Sequence, residues 1–68
     1  MVNVNKLRGR MVELGVTVRL LAQRMGVNYS SLYRRLKEPE SFTIGEATKI
    51  KSILELSSEQ ATDIFFAS

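Results

Sequence analysis

The sequence predicts an all-α fold of five short helices. Apolar residues recur at spacings of three and four along almost the whole chain, as one buried helix face requires. No β-branched run alternates over five or more residues, and no Asn-Gly or Asp-Gly pair is present to turn a hairpin. Gly15, Gly26 and Pro39 each follow an apolar stripe, where glycine ends a helix easily and proline forbids its continuation.

Asn5 is the expected N-cap of the first helix, which runs to Leu14 with Leu7, Met11 and Leu14 on one face. Gly15 follows at the position where a left-handed backbone suits glycine. Thr17 caps the second helix, residues 18–25, whose inner face is Val18, Leu21, Ala22 and Met25; Gly26 ends it. Val27 reads as a buried spacer, and Asn28 as the cap of a third helix over about 29–36. Only Leu32 and Leu36 make that helix apolar, so one side docks and the other is left free. Glu38-Pro39-Glu40-Ser41 is the clear loop, and Pro39 stops the third helix by residue 37. Thr43 with Glu46 has the spacing of a capping box for a fourth helix, about 44–54, with Ala47, Ile50 and Leu54 inward. Ser57 with Gln60 repeats the box for a fifth, about 58–66, ending in Ile64, Phe65 and Phe66. The short connections leave one domain spanning residues 1–68.

A chain of 68 residues forms one small core, which usually needs disulfides, a metal or a second copy to support it. There is no Cys and no His, so disulfides are excluded, zinc lacks its preferred ligands, and catalysis lacks its commonest nucleophile and base. A single Asp, Asp63, argues against a calcium loop, and no Gly-rich phosphate loop is present. No cofactor or metal is therefore expected, and an enzyme is a poor reading. No apolar run approaches a membrane span, and the opening MVNVNKLRGR lacks the apolar stretch of a signal peptide. The expectation is a cytoplasmic protein with no membrane partner.

The net charge of +3 hides an asymmetry. Residues 1–37 carry Lys6, Arg8, Arg10, Arg19, Arg24, Arg34, Arg35 and Lys37 against Glu13 alone, a balance of +7. Residues 38–68 carry Lys49 and Lys51 against six acids, a balance of −4. Such a chain can offer its basic half to a polyanion, although solvated surface charge is the plainer alternative.

The informative segment is Thr17–Leu36, TVRLLAQRMGVNYSSLYRRL. Two helices of about eight residues meet at a turn carrying Gly26, with small Ala22 where the helices cross and Val27 and Leu32 filling the angle. A bend this tight leaves the second helix protruding, and an α-helix fits the major groove of B-DNA. The segment resembles the helix-turn-helix of the phage Cro and repressor family, whose pattern is Thr-Gln, two variable residues, Leu-Ala, three variable residues, then Gly-Val or Gly-Ile. Thr17, Leu21, Ala22, Gly26, Val27 and Leu32 stand at the matching positions. The resemblance extends to the five-helix, lambda-repressor-like layout of nearly the whole chain. One departure is Val18, where the family often has a Gln that touches phosphate and braces the recognition helix. Val18 can do neither, which leaves the Thr17 hydroxyl or the backbone N–H groups at that helix terminus to meet a phosphate.

The resemblance implies that residues 29–36 form the recognition helix, with Tyr29, Ser30, Tyr33 and Arg34 facing the bases. Arg34 is the strongest candidate, because a guanidinium can bond both O6 and N7 of guanine; its plainer alternative is a solvated charge or a phosphate clamp. Ser30 suits a base, a phosphate or plain solvent equally. Tyr29 and Tyr33, four apart, share a face and suit thymine methyl groups, phosphates through their hydroxyls, or packing on helix two and the 38–42 loop. Arg35 and Lys37 are expected phosphate clamps, Asn28 a cap with a phosphate second, and Arg19 lies where the family touches the backbone. Of Phe65 and Phe66, one is expected to close the core and the other to meet a partner, with Leu20 a lesser candidate for such a surface.

The function these features imply is a Cro-like transcriptional regulator of a phage or mobile element, occupying double-stranded operator DNA as a homodimer at least when bound. The alternative is an antirepressor that keeps the helix-turn-helix and acts by binding a repressor protein, for which Val18, the tyrosines, Leu20 and the acidic half leave room.

Overall fold

The computed structural model describes residues 2–66. Its elements are α1 (Val4–Leu14), α2 (Val18–Met25), α3 (Tyr29–Lys37), a single 3₁₀ turn over Pro39–Ser41, α4 (Ile44–Ile53) and α5 (Ser58–Phe65), with no strand among the described residues. The radius of gyration is 10.7 Å, close to the roughly 11 Å of a compact chain this long.

Helix α1 begins two residues earlier than Asn5 would place it. Asn3 is the cap, its Oδ1 accepting from Lys6 N–H at 3.1 Å. The earlier start adds Val4 to the stripe of Leu7 and Met11, and the Asn3 N–H donates to the Ile64 carbonyl, tying the N-terminus to α5. Leu14 was expected inside, yet it is 40% exposed. The chain turns at Gly15 (φ 66°), and Val16 enters the core in its place.

The ends of α1 and α2 are the same device. Val16 N–H donates to the Met11 carbonyl and Gly15 N–H to Val12; Val27 N–H donates to Ala22 and Gly26 N–H to Gln23. Each pair satisfies carbonyls that a helix end would leave open, at the cost of one residue in the left-handed region, here Gly15 and Gly26. Helix α4 ends in the same pattern, Leu56 N–H to Lys51 and Glu55 N–H to Ser52, but Glu55 takes the positive φ of 51°. In all three cases the following residue, Val16, Val27 or Leu56, is carried back against the core. Val27 is only partly buried there, less than a full spacer.

Both capping boxes form, Thr43 with Glu46 and Ser57 with Gln60. Asn28 occupies the N-cap position of α3, but its side chain makes no cap hydrogen bond. Pro39 stops α3 at Lys37 and itself begins the 3₁₀ turn within the expected loop.

Among the described residues the core is entirely apolar, with Leu7, Leu21, Leu32, Ile50 and Leu54 fully enclosed. Helix α2 packs against both α3 and α4, and α1 against α5. Val18 and Ala47, both expected inward, are partly buried at the margin of this core. Phe42, after the 3₁₀ turn, meets Phe65 edge to face with centroids 6.3 Å apart, fastening the α3–α4 connection to α5. Among the described residues no helix is long and apolar enough to cross a membrane.

Candidate nucleic-acid interface

Helix α3 is held by one side and presents the other. Leu32 and Leu36 are buried. Arg35 flanks them and turns toward α4, its Nε 2.7 Å from Glu46 Oε2, with Nη1 donating to the Ser31 carbonyl at 3.3 Å. The Nε contact is close but poorly aligned for a hydrogen bond, so it acts as an ion pair. Arg35, expected as a phosphate clamp, thus has its charge paired with Glu46 across the α3–α4 gap. Burial works to raise the pKa of Glu46, but the Thr43 N–H hydrogen bond and the Arg35 guanidinium outweigh it and leave that pKa below its ordinary value.

On the outer side stand Tyr29, Ser30, Tyr33, Arg34 and Lys37, all exposed. Neither Ser30 nor Arg34 has a side-chain hydrogen bond or ion pair among the described residues. Helical geometry explains the grouping: positions 30 and 34 lie opposite Leu32 and Leu36, while 29, 33 and 37 form an adjoining row, each one turn from the next. Tyr29 and Tyr33 are 38% and 39% exposed. Their rings stack with centroids 5.8 Å apart and planes at 24°. Arg19 of α2 lies over the Tyr29 ring, Cζ 4.4 Å from its centroid, and Lys37 lies over Tyr33, Nζ 4.8 Å away. The result is a row of cation, ring, ring and cation across α2 and α3.

That row was half legible in sequence. The spacing of 29, 33 and 37 announces one face, but nothing in the sequence brings Arg19 to Tyr29, since the packing of α2 on α3 sets that contact. Tyr29 thus packs on Arg19 of α2, one of the expected partners, and Tyr33 on Lys37 of its own helix.

The rim is polar. Thr17 Oγ1 accepts from Leu20 N–H at 3.1 Å, which leaves its own O–H free to donate. The uncapped start of α3 leaves the Asn28 amide and the first N–H groups of that helix without partners in the helix. Leu20 packs partly buried against the core and is not an apolar outpost. Phe65 is buried, so Phe66, 65% exposed, alone stands out at the end of α5. Ile44, 78% exposed at the start of α4, shares a shallow hollow with Phe66, an apolar exposure that the sequence reading missed. Ile44 stands three residues before Ala47, the spacing of the inner stripe, so nothing local in the sequence marked it as exposed.

Comparison with protein-family models, with curated proteins and with solved structures finds no match to this chain.

Proposed function

We propose that the chain is a sequence-specific DNA-binding regulator in which α2, the Gly26–Asn28 turn and α3 act as a helix-turn-helix. The observation that carries this reading is the outer side of α3. Tyr29, Ser30, Tyr33 and Arg34 stand exposed there, on a helix anchored by Leu32, Leu36 and the Arg35–Glu46 pair. A protruding helix with a rigid back and free polar side chains is what the major groove accepts. In this reading Arg34 reads guanine, Ser30 and the tyrosines contact neighbouring base edges, and Arg19, Lys37, Thr17 and Asn28 meet phosphates. Reading few base pairs per copy, the protein acts as a homodimer on two half-sites about 34 Å apart. The apolar pair Ile44 and Phe66 offers one surface for that contact. Occupying an operator then blocks polymerase or a competing regulator, with binding as the whole of the activity and no catalytic step.

The test is titration of the protein onto duplex DNA from the promoter beside its own gene, over a range of salt, with Arg34→Ala alongside. Specific binding over random duplex is expected, with Arg34→Ala weakening it by about 1–3 kcal/mol and relaxing preference at one base position. No preference over random DNA would sink the proposal.

One observation favours a second reading. Val12, Ile44 and Phe66 are large apolar side chains left in solvent, and such residues serve a protein partner better than DNA. An antirepressor that binds a repressor through them would associate with little salt dependence, whereas DNA binding falls steeply with salt.

A further inference from the structure

We infer that the row of Arg19, Tyr29, Tyr33 and Lys37 reads C5 methyl groups, selecting thymine or 5-methylcytosine at two operator positions no more than two base steps apart. This rests on the DNA-binding reading above and names the base chemistry that its tyrosines recognise. The ring faces are engaged along the row, with the two rings stacked on each other and a cation over each. These contacts leave less ring face for an unpaired base or for a wedge between base pairs. A phenol carries one hydroxyl and cannot form the two-bond contacts by which Arg or Asn discriminates bases. Beyond that hydroxyl, what each half-exposed tyrosine has to offer a base is the carbon of its ring edge. The apolar group that a base presents in the major groove is the C5 methyl of thymine, which 5-methylcytosine also carries.

The spacing agrees. Ring centroids 5.8 Å apart cover between one and two steps of about 3.4 Å along a DNA strand. Arg19 and Lys37 lie over the rings and restrain them, so less side-chain freedom remains to be lost on binding. They are positioning residues for the tyrosines as well as cations for the backbone.

The full chain is first used to enrich sites from a random-sequence duplex library. Each thymidine of an enriched duplex is then replaced singly by deoxyuridine, which lacks only the methyl. Two positions within two base steps are expected to lose affinity about fourfold each, the worth of one buried methyl-sized group. Tyr29→Phe and Tyr33→Phe should keep both the affinity and the deoxyuridine effect, while Tyr29→Ala and Tyr33→Ala each abolish it at one position. Binding that is indifferent to deoxyuridine everywhere overturns the inference and leaves the regulator reading standing. So does a loss of affinity on all sequences in the Tyr→Phe variants, which would mark the hydroxyls as phosphate ligands. Failure to enrich any sequence overturns both.

Discussion

Two residues away from the outer side of α3 carry unusual local physics. Glu55 sits at φ 51° in a turn that elsewhere in the chain uses glycine. Left-handed backbone disfavours a residue with a Cβ by about 1–2 kcal/mol, and glycine's extra freedom in the unfolded chain offsets about 0.5–1 kcal/mol of any relief. Glu55→Gly is therefore expected to stabilise the fold by roughly 0.5–1 kcal/mol, read as a higher midpoint in urea unfolding. The second residue is Glu46, whose pKa is lower in the folded chain than its ordinary 4.5. The unfolded chain then binds the proton more readily, so the stability this carboxylate contributes is complete above 4.5 and is lost as pH falls through the lowered folded value. Glu46→Gln should flatten that part of the stability–pH curve measured by thermal unfolding. It should also loosen α3, because Arg35 loses its partner.

At the scale of elements, the join between α2 and α3 is decided by backbone conformation more than by space. A Cβ built at Gly26 meets no atom within 4 Å, yet its φ is 74°. Gly26→Ala should therefore destabilise by about 1 kcal/mol through strain alone. DNA affinity per folded molecule should be unchanged, which pairing calorimetry with a binding titration checks. Ala22 is the opposite case: its backbone is helical and its surroundings are closed, with 2% of its surface exposed. Ala22→Leu forces extra carbon into that space and is expected to cost about 1–3 kcal/mol in urea unfolding. The shared turn at the ends of α1, α2 and α4 has a common result, since each sends its next apolar residue back to the core. That recurrence is how short helices with few buried positions apiece still enclose one continuous core.

At the scale of the molecule, the +7 balance of residues 1–37 supplies the charge that a polyanion would feel. With Arg35 engaged by Glu46, the phosphate-facing cations of the proposed interface are Arg19 and Lys37. Two neutralised phosphates per copy give a slope of about −2 for log affinity against log salt, and Lys37→Ala should shallow it by about 1 while leaving base preference intact. Much of this architecture was legible in the sequence. Helical spacing marked the buried faces, Thr17, Thr43 and Ser57 marked three starts, and Gly15, Gly26 and Pro39 marked three stops. Those signals are local, because caps, glycine and proline act through the dihedrals and hydrogen bonds of adjacent residues. The sequence misled where two nearby residues competed for one role, as Asn3 with Asn5 and Val16 with Leu14, since only packing against α5 or the core breaks such ties. It was silent on contacts between elements. Arg35 on Glu46 and Arg19 on Tyr29 join residues that no periodicity relates, and each changes what a basic side chain is free to do. The sequence by itself thus determined the helices, their order and the free side of α3, because those follow from short-range stereochemistry and apolar spacing. Which charges stay available on that side was decided only by the tertiary structure, because it depends on what lies across the gap between packed helices.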